Sequence, residues 1–245
     1  MVSNYGQITS SALDPLEKKP LKMYQPGQKI FSLGTFGCNL DCGFCQNWTI
    51  ARGEAPPTAY LSPEAAVERA LSLVPFGNVG IAYTYSEPLM WFEYVLDTAR
   101  LARKAGLKNI LVTNGYINPK PLAVLLPFID AVNLDIKAYT DGFYQEVCKG
   151  TLPPVLKSAK LFQQNCHLEV TTLLVPGLND GVEEIRQLAR WLAEIDRKIP
   201  LHLSRYFPNY RIQLPPTPLK TMKRAAEAAK EILDNVFLGN VSGEV

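Results

Sequence analysis

Apolar positions along the chain follow two alternating patterns, short continuous runs and longer stretches with helical spacing. The runs are rich in β-branched residues and end at polar or turn-forming residues, which is typical of buried strands. They predict strands over 29–35, 79–85, 109–113, 131–136, 167–175 and 200–205, and a last short one over 236–238. Apolar residues three or four apart predict helices within 63–74, 91–105, 119–126, 140–165, 182–192 and 219–229.

The order of these elements predicts the fold. Strand, loop and helix alternate repeatedly, with no sequence repeat and no linker long enough to separate domains. This alternation indicates an α/β protein with one parallel sheet and helices outside it. We expect a single domain over 1–245, with an extended lead-in over 1–29 and a sheet that curves into a full or partial barrel. A flat, doubly wound sheet is the competing geometry, because periodicity does not separate the two.

Charge and composition narrow the function classes. The chain has 25 Lys and Arg against 23 Asp and Glu, which gives a net charge of +2. Nucleic acids and anionic membranes are bound by concentrated basic surfaces, so this near-balance argues against both as partners. No apolar run approaches the roughly 18 residues of a membrane-spanning helix. The N-terminus lacks the charged start and apolar stretch of a secretory signal, and we therefore expect a cytoplasmic protein.

Three of the five cysteines lie close together. Cys38, Cys42 and Cys45 fall within eight residues, and their gaps of three and two residues let one loop direct the sulfurs to a common point. Structural zinc needs a fourth ligand, and the only histidines, His167 and His202, are more than a hundred residues away. Three thiolates match a four-iron cluster with one open iron. Three buried core cysteines are the alternative interpretation.

The other two cysteines have a simpler interpretation. Cys148 and Cys166 are isolated, and isolated cysteines most often behave as buried small hydrophobic residues. An odd total also argues against a disulfide framework.

Polar side chains recur where the predicted strands end. In chain order they are Ser86 and Glu87, Asn114, Asp135 and Lys137, and finally His202, Ser204 and Arg205. Each alone has a simpler interpretation, as a helix cap, a plain turn, a surface ion pair or a satisfied core histidine. In parallel α/β barrels, however, functional residues lie at the carboxyl ends of strands. Together these residues predict a site around the cysteine loop.

The cysteine motif resembles that of a known family. Cys38-x3-Cys42-x2-Cys45, with Phe44 before the third cysteine, resembles the cluster loop of the radical S-adenosylmethionine (SAM) superfamily. From Tyr5 to Asn240, nearly the whole chain resembles the branch with the activases of pyruvate formate-lyase. It is most similar to the activase-like proteins encoded with the AmmeMemoRadiSam set. The resemblance implies an incomplete (β/α)6 barrel, a [4Fe–4S] cluster, and SAM cleaved reductively to methionine and a 5′-deoxyadenosyl radical.

The resemblance also implies roles for individual residues. Ser86 and Glu87, in a turn that begins with two glycines in many relatives, would hold the SAM amino group. The other implied contacts are Phe44 with the adenine, Asn114 with the ribose, Asp135 and Lys137 with ribose and carboxylate, and His202 on the adenosyl side. Arg205 is a candidate substrate contact, and a structural ion pair explains it equally well.

The substrate is the most open point. The leading hypothesis is hydrogen abstraction from a glycine of a partner glycyl-radical enzyme, with a flavodoxin or ferredoxin-type protein as electron donor. One alternative is radical modification of a small molecule or an assembly-line intermediate. The other is a non-catalytic scaffold that binds an iron–sulfur cluster or zinc.

Overall fold

The computed structural model describes residues 3–53 and 56–241. Ten strands lie in these ranges: β1 (Gln7–Ile8), β2 (Ser10–Pro15), β3 (Lys29–Gly34), β4 (Ala59–Tyr60), β5 (Asn78–Tyr83), β6 (Lys108–Thr113), β7 (Ala131–Asp135), β8 (His167–Leu174), β9 (Leu201–Arg205) and β10 (Val236–Gly239). The central sheet has the order β10-β9-β8-β7-β6-β5-β3-β2, and β1 pairs with β4 separately.

Helices connect the strands of the central sheet. They are α1 (Trp48–Ala51), α2 (Pro63–Ser72), α3 (Phe92–Lys104), α4 (Pro119–Leu125), α5 (Asp141–Phe143), α6 (Leu152–Asn165), α7 (Val182–Asp196) and α8 (Leu219–Lys230). The predicted start of α2 is seen directly, because the Ser62 hydroxyl accepts from the amide of Ala65 at 3.2 Å and Pro63 is the first helical residue. Within the described ranges, no helix has both the length and the apolar character needed to cross a bilayer.

The strand order decides between the two geometries left open by the sequence. Strands β3 and β5 to β10 are parallel neighbours in chain order, so the sheet winds in one direction only. A doubly wound sheet would reverse direction part-way. The two edges, β2 and β10, pair only with β3 and β9 in the part of the chain that the structure describes. The predicted α/β partial barrel is therefore confirmed.

The lead-in forms part of the sheet and closes one end of the barrel. Strand β2 pairs with β3 antiparallel. Residues 16–28, here called the strap, then cross the inner face of the sheet before β3 begins. Leu16 and Leu21 of the strap are fully buried against inner-face residues of β3 and β5 to β7. The amides of Lys22 and Met23 donate to the Glu169 carboxylate of β8 at 3.0 and 2.8 Å. The strap thus covers the barrel at the end opposite the carboxyl ends of the strands.

Candidate functional site

A cavity of about 390 Å³ lies at the carboxyl ends of the parallel strands. Nine of the eleven residues predicted for the site line it: Cys38, Cys42, Phe44, Cys45, Ser86, Glu87, Asn114, Asp135 and Lys137. Ser204, also noted at a strand end, lines it as well. The convergence follows from the fold, because parallel neighbouring strands deliver their carboxyl ends to one rim.

The cysteine loop connects β3 to α1 and directs its three sulfurs toward the cavity. Gly37 adopts a φ of +93°, which a glycine allows at little cost, and its amide donates to the Ile50 carbonyl. The Cys38 sulfur accepts from the Leu40 amide at 3.4 Å and from the Asn114 side-chain amide at 3.6 Å. These contacts shape the loop around Cys38.

The surroundings of the three loop cysteines raise the pKa values of their thiols. Burial raises the pKa of Cys38 to about 12 and also raises the pKa of Cys45. A hydrogen bond with the Cys148 thiol, together with burial, raises the pKa of Cys42 well above its ordinary value. Iron bound at these residues would displace the protons, because the thiolate is the metal ligand.

Glu87 links the second strand–helix turn to the end of β6. Its carboxylate accepts from the Thr113 hydroxyl at 2.6 Å and from the amides of Asn114 and Leu89 at 2.8 and 3.0 Å. Burial raises the pKa of Glu87 to about 7. Ser86 beside it differs, since its hydroxyl is buried and has no hydrogen-bond partner anywhere in residues 3–53 and 56–241. Glu87 is thus occupied within the protein, while the Ser86 hydroxyl is available to a ligand.

Tyr85, directly before Ser86, has a backbone conformation that glycine adopts most easily. Its φ is +70°, in the left-handed region. The side-chain amide of Asn47 donates to its carbonyl at 2.6 Å, and its own hydroxyl donates to Asp14 at 2.9 Å. Its ring also packs so closely on Gly34 that a Cβ there would lie 2.7 Å from a ring carbon. The left-handed backbone of Tyr85 is therefore held by specific contacts.

Asp135 and Lys137 form an ion pair on the cavity wall, with Nζ 2.8 Å from Oδ2. Burial alone would lower the pKa of Lys137, but the charge of Asp135 outweighs it and raises the pKa well above the ordinary value. Asn114 donates to the Asn39 side-chain oxygen at 2.9 Å as well as to Cys38. It therefore ties the end of β6 to the cysteine loop.

His202 and Arg205 do not line the cavity. His202 is two residues before Ser204 on the same strand face, so it lies one level deeper, where Nε2 is 2.6 Å from the Glu169 carboxylate. The Arg205 Nε donates to the Thr217 carbonyl at 2.8 Å, and its guanidinium lies over Phe207. A cofactor contact for His202 and a substrate contact for Arg205 stay predictions.

The structure adds cavity residues that the sequence reasoning missed. They include Lys18, Lys19, Asn47, Thr171 and Asn240. Thr171 shares the inner face of β8 with Glu169, so strand alternation alone would have indicated it. The lysines come from the strap, and no local pattern predicts where that segment crosses the barrel. Lys19 is buried there, with Nζ 2.8 Å from Asp14 and 4.5 Å from the centre of the Tyr85 ring.

The arrangement fits an iron–sulfur cluster better than a single ion. Among the residues described, no three Cys, His, Asp or Glu side chains are placed to hold one metal ion. A cluster makes a different demand, because each cysteine ligates a different iron and the sulfurs stay apart. Three cysteines on one loop facing one cavity meet that demand. The unused Ser86 hydroxyl adds a polar group where a second ligand would lie.

Comparisons with known proteins identify the family of the chain. The sequence model of the Radical SAM superfamily matches residues 32–192. An uncharacterised protein of Methanocaldococcus jannaschii is 42% identical, over 98% of this chain and 72% of its own. The pyruvate formate-lyase-activating enzyme of Clostridium pasteurianum is 27% identical, over 65% of this chain and 67% of its own.

A solved structure has the same fold. Streptococcus suis SuiB bound to S-adenosylmethionine matches with a TM-score of 0.67 at 16% identity, over 91% of this chain and 53% of that one. At this identity, the match concerns the fold alone. The family match, which covers well over half of the chain, has the cysteine loop inside it. The chain therefore belongs to the Radical SAM superfamily, whose cofactors are a [4Fe–4S] cluster and S-adenosylmethionine.

Proposed function

We propose that the chain is an activase-type enzyme of this superfamily, which abstracts hydrogen from a glycine of a partner glycyl-radical enzyme. When bound, the cofactors supply one-electron cleavage of SAM to methionine and a 5′-deoxyadenosyl radical. The protein supplies binding, orientation and exclusion of water. The observation that carries the proposal is one cavity lined by three loop cysteines, the unpaired Ser86 hydroxyl and the Asp135–Lys137 pair.

Each part of the cavity has a proposed task. Cys38, Cys42 and Cys45 hold three irons. The Ser86 hydroxyl accepts a hydrogen bond from the SAM amino group. Asp135 and Lys137 contact the ribose hydroxyls and the carboxylate, since an anion and a cation fixed at 2.8 Å present both an acceptor and donors to the cavity.

Three further residues complete the proposed site. The backbone of Phe44 meets the adenine, and Asn114 lies by the ribose while it holds Cys38. Glu87 serves the same end indirectly, because its three accepted hydrogen bonds fix the turn that carries Ser86.

Two observations support a protein rather than a small molecule as substrate. Pyruvate formate-lyase activating enzymes and an isethionate sulfite-lyase activating enzyme are among the relatives, at 23–27% identity. The barrel is also open between β2 and β10, and Asn240, directly after β10, lines the cavity. A loop of a partner protein would have lateral access there. A flavodoxin or ferredoxin-type protein is the proposed electron donor.

The proposal is tested in two stages under anaerobic conditions. Reconstituted protein is first incubated with SAM and dithionite, and mass spectrometry is expected to detect 5′-deoxyadenosine and methionine. Candidate glycyl-radical enzymes are then added, and electron paramagnetic resonance is expected to detect a glycyl radical. The Cys42→Ala variant is the control and should give neither signal. SAM cleavage without any glycyl radical, but with a modified small molecule, would contradict the activase role. No cleavage by a fully loaded protein would contradict the enzyme assignment itself.

A further inference from the structure

The strap contributes Lys18, Lys19 and Pro20 to the cavity lining, and these residues are here called the floor. Both lysines reach Asp14 of β2, the strand that precedes the strap. Lys19 Nζ is 2.8 Å from Asp14 Oδ2, and Lys18 Nζ is 3.5 Å from Asp14 Oδ1. The Tyr85 hydroxyl donates to the same carboxylate at 2.9 Å. Both oxygens of Asp14 are therefore engaged, and one carboxylate serves two ammonium groups.

This group of charges keeps an excess positive charge. Burial alone would raise the pKa of Asp14, but the hydrogen bonds from Lys19 and Tyr85 outweigh it and lower the pKa to about 2, so Asp14 is an anion at neutral pH. Two ammonium groups against one carboxylate leave one positive charge. The Lys18 side chain is 68% exposed, and its contact with Asp14 leaves N–H donors of the ammonium group unused. The floor thus offers a cation with free donors to a ligand.

The other charged groups that line the cavity already have partners. Among the described residues of the lining, the acidic ones are Glu87 and Asp135. Asp135 is paired with Lys137, and the Glu87 carboxylate accepts from three donors. Arg52, the remaining cation of the lining, lies 3.4 Å from Asp41. The cation that shares its carboxylate with a second lysine of the same cavity is therefore the one on the floor.

SAM does not satisfy this charge. It carries a sulfonium and an ammonium group against one carboxylate, so the floor repels the molecule as a whole. Its carboxylate has a proposed partner in Lys137, directly beyond β7, and three strands of the sheet, β6, β5 and β3, separate β7 from β2. A second molecule gains from the floor only if it brings a negative charge.

The floor lies on the side where a substrate would have access. Asp14 is on β2, one edge of the barrel, and Asn240 follows β10, the other edge, and lines the same cavity as the two lysines. Thr171 of β8 and Ser204 of β9 add hydroxyl groups to this lining. Amide and hydroxyl groups donate hydrogen bonds to an anion without adding a negative charge. The surroundings of the floor therefore suit an anionic group.

We propose that Lys18, supported by Lys19, binds a carboxylate of the substrate and so selects an anionic substrate. A carboxylate matches the single excess charge of the floor, whereas a phosphate dianion would leave a negative charge unpaired in the cavity. The proposal rests on the proposed function and deepens it, because the glycine-bearing loop of the partner would place an acidic side chain on the floor. A free carboxylic acid presents the same group, and the test separates these two sources.

The test uses the reconstituted full-length chain with SAM, under anaerobic conditions, and two dipeptides that differ by one charge. N-acetyl-aspartyl-glycinamide has a carboxylate next to a glycine, and N-acetyl-asparaginyl-glycinamide has nearly the same shape without the charge. Propionate and inorganic phosphate are the free anions. Calorimetric titration gives the Kd of each probe.

Three variants isolate the contribution of Lys18. Lys18→Met removes the charge, and Lys18→Arg keeps it. Lys22→Met is the matched control, because Lys22 belongs to the strap but does not line the cavity, and its ammonium group lies over the Phe237 ring. All three should fold as the wild type does, since the Lys18–Asp14 ion pair is largely exposed and Asp14 keeps its contact with Lys19. Thermal unfolding checks this.

We expect the wild type, Lys18→Arg and Lys22→Met to bind the aspartyl dipeptide about tenfold more tightly than the asparaginyl one, as expected for one charged hydrogen bond. Lys18→Met should bind the two dipeptides alike. Equal binding of both by the wild type, or a preference that persists in Lys18→Met, would overturn the proposal. Tighter binding of phosphate than of propionate would also overturn it.

The affinity of propionate separates the two sources of the carboxylate. Weaker binding of propionate than of the aspartyl dipeptide would support an acidic side chain on a protein loop. Tighter binding of propionate would support the carboxylate site but contradict a protein substrate, and with it the activase role. A wild-type chain that generates a glycyl radical on a partner, yet binds the two dipeptides equally, would overturn the carboxylate site alone.

Discussion

Among the cavity-lining residues that the structure describes, Ser86 is the one whose buried hydroxyl has no hydrogen-bond partner in the protein. A buried hydroxyl without a partner lowers the stability of a fold, and such groups are therefore rare unless a ligand satisfies them. Glu87, next to it, shows the contrast, because three donors surround its carboxylate. Glu87 thus fixes the turn, and Ser86 faces the proposed ligand.

Replacing Ser86 by Ala is expected to weaken SAM binding about 10- to 150-fold, since a hydrogen bond to a charged group contributes roughly 1.5–3 kcal/mol. The stability of the ligand-free protein should not fall, because no protein contact is lost. Anaerobic calorimetric titration measures the affinity, and thermal unfolding measures the stability. Thr98→Val, which removes a buried hydroxyl on α3 outside the cavity, is the control. Equal SAM affinity in the Ser86 variant and wild type would remove Ser86 from the site.

The assignment of Cys38, Cys42 and Cys45 as iron ligands predicts which thiols the cluster requires. Cys38→Ala, Cys42→Ala and Cys45→Ala should each abolish the cluster absorbance after reconstitution, because a cluster held by two thiolates is easily lost. Cys166→Ala should retain it, since that thiol donates to the Phe162 carbonyl on α6 and does not line the cavity. Iron analysis and visible spectra check both statements. Unchanged iron loading in any one of the three loop variants would contradict the ligand set.

At the scale of elements, the strap depends on one buried carboxylate. Glu169 of β8 is fully buried and accepts from the strap amides of Lys22 and Met23, and both histidines of the chain contact it. Burial alone would raise the pKa of Glu169, but the hydrogen bonds from His167 and His202 outweigh it and lower the pKa to about 2. His202 therefore has the satisfied core environment that was its alternative interpretation.

Glu169→Gln is expected to lower the free energy of unfolding by about 2 kcal/mol at neutral pH, because charged hydrogen bonds are lost. A depressed carboxyl pKa stabilises the fold above the unfolded-state pKa of 4.5, and this contribution is lost as the pH falls toward about 2. The difference in unfolding free energy between the variant and the wild type should therefore shrink as the pH falls from 4.5 toward about 2. Urea unfolding of the metal-free protein measures it. Glu231→Gln, in an exposed ion pair, should change little. If the difference in unfolding free energy did not depend on pH, the lowered pKa of Glu169 would be contradicted.

The turn after β5 depends on a glycine in the neighbouring strand. A Cβ at Gly34 would lie 2.7 Å from the Tyr85 ring and 2.9 Å from the Thr84 carbonyl oxygen. Gly34→Ala is expected to destabilise the protein by about 1–3 kcal/mol and to weaken SAM binding, because Tyr85 must move and Ser86 follows it. Gly142→Ala, where no atom lies within 4 Å of the added carbon, is the control. Thermal unfolding and SAM titration measure both effects. A Gly34 variant as stable as the control would show that the turn tolerates displacement.

The sequence predicts the elements whose causes are local. The strands are continuous apolar runs, the start of α2 has its Ser-Pro signal, and the cysteine loop has its spacing, so all three were predictable. The strap and the π-helical turn Tyr144–Cys148 were not predictable. The strap is defined by contacts such as that between Lys22 and Glu169, which are 147 residues apart. No sequence pattern in either segment indicates which distant residues the segment contacts.

At the scale of the whole molecule, two distant segments converge on the cysteine loop. Besides the π-helical turn, residues 206–212 after β9 pack on it, and the amides of Arg211 and Ile212 both donate to the Gly43 carbonyl at 2.9 and 3.0 Å. Arg211 also pairs with Asp41 at 2.9 Å. The cysteine loop near the start of the fold is therefore stabilised by segments that follow β7 and β9.

This convergence predicts that a change far from the cysteines alters how long the cluster survives. The buried Tyr206 hydroxyl donates to the Ile212 carbonyl at 2.6 Å and so fixes the segment that covers Gly43. Tyr206→Phe is expected to cost about 1 kcal/mol of unfolding free energy and to speed the loss of iron to a chelator several-fold.

The control is Tyr60→Phe, which removes a hydroxyl from an exposed side chain on β4. Visible absorbance after addition of the chelator follows iron loss in both variants, and urea unfolding gives their stabilities. A Tyr206 variant that is less stable but releases iron at the wild-type rate would mean that residues 206–212 support the fold without protecting the cluster. The π-helical turn Tyr144–Cys148, whose carbonyls accept from the amides of Asp41 and Gly43 on both sides of Cys42, would then be the better candidate for protecting the cluster.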